Sequence, residues 1–169
     1  MNAFSRRSRL AGFSLLELLT VMAVLGILVS IAVPSFGYLT ANTQVKSASS
    51  NLYLALLKAR SEAVKRDAPV AITPTGGDWK NGWQITINAG ADVLLSQEAL
   101  KGVSVTAAAA NVVYLNSGRI RAPPPAFTIT KLARNQSEAQ QTQSVAGRCI
   151  SVQANGSPSI REWRAGPCP

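Results

Sequence analysis

Residues 12–36, GFSLLELLTVMAVLGILVSIAVPSF, form a band of 25 residues that is apolar almost throughout and carries one acid, Glu17, near its start. Residues 18–33 hold no charge, and residues 13–36 in a helix are long enough to cross a bilayer. The band therefore reads as membrane-embedded. Arg6, Arg7 and Arg9 precede it, whereas the first basic residue after it is Lys46. The positive-inside bias then predicts a cytoplasmic N-terminus, with everything beyond about Phe36 outside. Glu17 is the exception in this band. A charged side chain at the bilayer centre costs roughly 2.5–3.5 kcal/mol by insertion scales, so this carboxylate calls for a partner.

The basic leader, the string Gly12-Phe13-Ser14-Leu15-Leu16-Glu17 and the apolar helix after it resemble the processing motif of type IV pilins and the related pseudopilins. The resemblance implies that a prepilin peptidase cuts after Gly12 and methylates the new N-terminus at Phe13. It also implies that Glu17 meets the N-terminal amine of a neighbouring subunit during assembly, a pairing that neutralises a charge held in hydrocarbon. Two plainer readings compete. A simple single-span anchor accounts for the hydropathy and leaves Glu17 without a role. A secretory signal finds its apolar core in residues 18–29 and a small-x-small site in Ser30-Ile31-Ala32, but the apolar pattern continues beyond it into an amphipathic helix.

Beyond the band, Pro34 is expected to bend or locally loosen the helix without ending it. Val45, Ser49, Leu52, Leu56, Ala59 and Ala63 recur at spacings of four and three, with Lys58, Arg60, Glu62 and Lys65 expected largely on other faces. Asp67-Ala68-Pro69 should end this helix near Arg66, because proline disfavours helix at the residue before it. The string Ala59-Arg60-Ser61-Glu62-Ala63-Val64-Lys65-Arg66 is similar to the helix-ending signature of the branch that unites pseudopilin H of type II secretion with the minor pilins FimT and FimU. Asp78-Trp79-Lys80-Asn81-Gly82-Trp83-Gln84-Ile85 resembles the paired-tryptophan turn and strand of the same branch. Read without the resemblance, Trp79 and Trp83 are core and turn residues.

From Pro69 onward the period changes to two. Short β-branched or alternating runs at 70–73, 83–88, 93–96, 103–107, 112–116, 127–131, 149–153 and 159–163 are broken by Gly, Pro and Asn. Residues 135–146, rich in Gln and Ser, read as a mobile loop, and Pro123-Pro124-Pro125 as a stiff connector. The expected fold is α+β: one long N-terminal helix, transmembrane in its first half, packed on a C-terminal antiparallel β-sheet domain, as the resemblance also implies. The expected divisions are a leader at 1–12, a membrane and assembly helix at 13–36, its amphipathic continuation at 37–66 and an exported β-rich domain at 67–169.

The 169 residues carry a net charge of +9, unevenly placed. The leader supplies +3, residues 13–118 only +1, and residues 119–169 the remaining +5. With no histidine in the chain, the common Ser-His-Asp and Cys-His arrangements are unavailable, and no phosphate-cradling glycine loop or close carboxylate pair appears. An enzyme is not indicated, no cofactor is implied, and one chain cannot assemble a closed zinc site. Cys149 and Cys168, in an exported and oxidising setting, read as a disulfide worth on the order of 3 kcal/mol.

Two roles remain. As a minor subunit of this family, the chain would join other minor pilins or pseudopilins in an initiating tip complex, held in the inner membrane until assembly. The second role is binding of double-stranded DNA. Arg119, Arg121, Lys131, Arg134, Arg148, Arg161 and Arg164 supply phosphate ligands, with Trp163 nearby for stacking. Some proteins of this kind bind DNA through a Gly-Arg-x-Arg motif near the C-terminus. Here the corresponding turn reads Asn155-Gly156-Ser157-Pro158-Ser159, while a Gly118-Arg119-Ile120-Arg121 lies earlier. A solvated surface, or contact with acidic neighbouring subunits, accounts for the same arginines.

Overall fold

A single helix, α1 (Leu15–Arg66), runs 52 residues and continues through Pro34, as the resumed periodicity beyond the proline predicts. The computed structural model describes residues 14–87, 90–121, 123–132 and 145–168, and of residues 31–35 the backbone alone. The chain divides into two units, Met1–Gly37 and Tyr38–Pro169.

In the first unit, every described apolar side chain of α1 from Leu15 to Val29 is exposed, Leu15 at 82% and Leu16 at 74%. In the second unit the helix is amphipathic. Val45, Ser49, Leu52, Leu56, Ala59 and Ala63 are all buried, as their spacing predicts, and Ala41, Ala48 and Ala55 widen the stripe. Ser49 is tolerated there because its hydroxyl donates to the Val45 carbonyl, one turn back, at 2.6 Å. Two expectations for this helix change. Glu62 is buried, and Arg60 half-buried, where both were expected largely on faces other than the apolar stripe. Glu62 flanks the stripe and is accommodated by Lys58 at 3.0 Å and Arg66 at 2.7 Å, one turn to either side.

The helix ends where Asp67-Ala68-Pro69 predicts, and the hydrogen bonds show how. Asp67 takes a left-handed conformation (φ 50°), its N–H donates to Val64 O and that of Ala68 to Ala63 O, the paired bonds of a Schellman cap. The Asn116 side chain holds the cap by donating to Asp67 Oδ1 at 2.9 Å.

Eight strands follow: β1 (Val70–Pro74), β2 (Trp83–Ile87), β3 (Asp92–Gln97), β4 (Val103–Ala107), β5 (Val112–Tyr114), β6 (Ala126–Lys131), β7 (Gly147–Val152) and β8 (Pro158–Trp163). Each predicted strand is present with ends within two residues. They form two antiparallel four-stranded sheets, ordered β3-β2-β1-β5 and β4-β6-β7-β8. Alternate residues face inward. Val70 and Ile72 of β1, Trp83 and Ile85 of β2, Val103 and Val105 of β4, Phe127 and Ile129 of β6, and Ile150 and Val152 of β7 are buried in one cluster with the helix stripe. Each large apolar side chain so buried contributes about 1.5–3 kcal/mol.

Both tryptophans of the 78–85 motif are core residues. Trp79 sits in a short 3-10 turn (Trp79–Asn81) capped by Asp78, whose Oδ1 accepts from Lys80 N at 3.0 Å. Its indole lies between the sheets, 4.8 Å from the Phe127 ring of β6 in a T-shaped contact and 6.4 Å from the Trp83 ring of β2, and its Nε1 donates to Ala109 O. The expected loop at 135–146 lies outside the described residues except for its last two. Of these, Val145 is buried in the core cluster, which its Gln- and Ser-rich surroundings concealed.

Candidate assembly and nucleic-acid surfaces

The motif at residues 12–17 is described from Ser14 onward, so Gly12 and Phe13 lie outside the described residues. Glu17 is exposed in the first turn of α1, and its carbonyl accepts from Thr20 Oγ1 at 2.8 Å. Apolar side chains surround it on both sides in sequence, and the described residues leave them uncovered. An uncovered apolar surface of this length marks contact with other protein or with lipid. Among the described residues no helix is long and apolar enough to cross a membrane. The side chains of residues 31–35, which belong to the apolar band, fall outside that description.

The seven basic candidates occupy different settings. Arg134 lies outside the described residues. Arg119 and Arg121 are exposed beside the first sheet. Arg119 closes a tight turn in which Leu115 N donates to Arg119 O at 2.8 Å, and Arg121 N donates to Val113 O at 2.9 Å, extending the sheet past β5. Arg161 and Arg164 are exposed on and after β8, at the edge of the second sheet. Arg161 stands opposite Cys149 and so shares the outer face with the Cys149–Cys168 disulfide, whose Cα atoms are 5.6 Å apart.

Two candidates are committed to the protein itself. Lys131 is half-buried and its Nζ donates to Gln44 Oε1 of α1 at 3.0 Å. Arg148 stands opposite Ile129, whose side chain is in the core, so the register turns Arg148 inward. It is half-buried, paired with Glu162 at 3.5 Å, and its Nε is buried without a partner among the described residues. Trp163 is also engaged: a Cβ on Gly147 would stand 2.8 Å from its ring, and its Nε1 donates to Gly166 O at 2.8 Å.

Arg60, expected only to lie off the apolar stripe, organises the turns that carry Arg119. Its Nε donates to Gly118 O at 3.1 Å and its Nη2 to Asn155 O at 3.1 Å, joining the 115–119 turn and the 153–157 turn to α1. Gly156 (φ 84°) meets that first turn so closely that any Cβ would collide with the Gly118 carbonyl. The early Gly-Arg-x-Arg is thus packed against the turn at 155–159 where the resemblance places such a motif. Tyr114 is buried beside this joint, and burial pushes its phenol well above the ordinary range while its hydroxyl finds no partner among the described residues. No group of three or more metal-ligating side chains gathers among the described residues.

Two family descriptions match the chain: "Prokaryotic N-terminal methylation motif" over residues 7–33 and "Type II transport protein GspH" over residues 48–156. No curated protein matches it. Among solved structures, the chain is similar to the type IV minor pilin FimU of Pseudomonas aeruginosa, with 21% identity, TM-score 0.57, and 72% of this chain and 91% of that chain covered. It is also similar to the minor pseudopilin EpsH from the type 2 secretion system of Vibrio cholerae, with 14% identity, TM-score 0.52, and 70% of this chain and 97% of that chain covered. These likenesses are of fold: a long helix on antiparallel sheets. With the helix stripe, the paired tryptophans and more than half of its length inside one family description, the chain belongs to the GspH family of minor pilins and pseudopilins.

Proposed function

We propose that the chain is made as a prepilin, cut after Gly12 and methylated at Phe13 by prepilin peptidase. On this reading it is held in the inner membrane by residues 13–36 with its N-terminus cytoplasmic, and is then drawn into the initiating tip of a pilus or secretion filament. The uncovered apolar run of α1 with Glu17 inside it carries the reading. Such a helix has no stable place in water, and its one acid is served by the new amine of a neighbouring subunit. The methylation motif over residues 7–33 supports the processing step. Mass spectrometry of the mature N-terminus tests it. A peptide beginning with methylated Phe13 is expected, and one beginning at Met1 or Val33 rejects it.

A second reading, binding of double-stranded DNA, is favoured by one observation: the Gly118–Arg119 turn is fastened through Arg60 to the turn at 153–157. Arg119, Arg121, Arg161 and Arg164 are exposed and free of ion pairs among the described residues, whereas Lys131 and Arg148 are occupied. Gel-shift titration of Tyr38–Pro169 at several salt concentrations tests it. Replacing Arg119 and Arg121 together by Gln should weaken binding uniformly across sequences and flatten its salt dependence. Unchanged affinity in that variant, and in one lacking Arg161 and Arg164, dismisses the reading.

A further inference from the structure

We propose that the outer face of the first sheet binds an acidic sugar, a hydroxylated ring bearing one carboxylate. The site is a row across three strands. Thr86 of β2 stands opposite Ala71 of β1, Ala71 opposite Val113 of β5, and Arg121 continues the row through its backbone bond to Val113. Residues directly opposite one another share a face, and this is the face turned away from the core formed by Val70 and Ile72. Ala71 is the smallest side chain in the row and lies between two larger ones, so the sheet dips there. The resulting depression has a volume of about 390 Å³ and is also lined by Thr73 and Asn111. That volume falls in the roughly 300–1,000 Å³ range of small-molecule sites.

Its chemistry selects the ligand. Among the described residues Arg121 is the only charged one lining the depression, and it is exposed and makes no ion pair with any of them. One planar guanidinium suits one carboxylate, held by two parallel hydrogen bonds. Thr73 and Asn111, both exposed, offer hydroxyl and amide groups that exchange hydrogen bonds with sugar hydroxyls, and Ala71 and Val113 with the buried Thr86 supply the floor beneath the ring. Among the described residues no aromatic side chain lines the depression to give a nucleic-acid base a platform for stacking. The inference is independent of the processing and filament reading above.

The unit Tyr38–Pro169 contains every buried core residue among those described and so folds on its own. Isotope-labelled Tyr38–Pro169 is titrated with glucuronate, glucose, inorganic phosphate and deoxyadenosine monophosphate and followed by amide NMR. Glucuronate is expected to shift the amides of Ala71, Thr73, Thr86 and Val113 saturably, with an affinity about tenfold lower in Arg121→Gln. Ala71→Leu, which fills the dip and leaves Arg121 in place, is expected to abolish the response, with unchanged spectra elsewhere reporting intact folding. Absence of a saturable response, an equal response to glucose, phosphate or the nucleotide, or binding retained in Ala71→Leu would each overturn the proposal.

Discussion

At the scale of single residues, Glu62 shows how much a helical period holds and where it misleads. It lies three residues after Ala59 and one before Ala63, so its geometry puts it at the margin of the buried stripe. A carboxylate there is read as exposed until its two partners are found one turn to either side. The hydrogen bond from Arg66, then that from Lys58, lowers its pKa from 4.5 to about 2. A group whose pKa is depressed on folding adds stability above its unfolded value, and that contribution disappears as pH falls through the folded value. Glu62→Gln is therefore expected to be less stable than the parent at pH 7. The gap should close between about pH 4.5 and about pH 2, as checked by urea midpoints across that range. Gly156 teaches the opposite lesson. Its positive φ is readable as a turn glycine, but its need to clear the Gly118 carbonyl depends on two turns 38 residues apart in sequence, and nothing local announces that meeting.

At the scale of elements, periodicity was a good guide to what forms and a poor one to what pairs. The stripe from Val45 to Ala63 and all eight strands were legible because burial on one face leaves a period of 3.6 or 2 in the residue types. The division into two sheets was not. Any of these strands shows the same alternation whichever neighbour it meets, so β5 joining β1 and β6 passing β5 to pair with β4 leave no trace in composition. The same logic hid Arg148, whose inward direction follows from its register with Ile129. The helix stripe makes a sharp comparison possible. Leu52 is fully buried and Leu54, two residues on, is 59% exposed. Leu52→Ala is expected to cost about 2–5 kcal/mol, and Leu54→Ala to leave stability within about 0.5 kcal/mol, by denaturant unfolding of Tyr38–Pro169. The disulfide was legible as an even pair in a chain read as exported. It ties the tail after β8 back to β7, with Cys168 Sγ 3.5 Å from Phe127 O. Replacing both cysteines by Ser should lower stability by about 3 kcal/mol through the freed unfolded chain, and reduction of the parent should match it.

At the scale of the whole molecule, the two units make opposite demands on their surroundings. Tyr38–Pro169 buries the helix stripe and the inner faces of both sheets around Leu52, Leu56, Trp83 and Phe127, and so carries its own core. The run from Leu15 to Val29 has no such core and exposes every side chain it has. A plain membrane anchor and a filament subunit both answer that demand, and Glu17 separates them. If the run served only as an anchor, Glu17→Ala would remove a costly charge from hydrocarbon and strengthen membrane association at no loss. If the run is an assembly helix, the same change deletes the group that meets a neighbour's amine. The expected result is a Glu17→Ala chain that is still processed and still fractionates with the membrane, keeps the urea midpoint of its Tyr38–Pro169 unit, and is depleted from sheared filaments. Fractionation and immunoblotting of membranes and filaments read all of these outcomes together. Undiminished recovery of the variant in filaments would return the helix to the role of an anchor and leave the one acid in the band without an explanation.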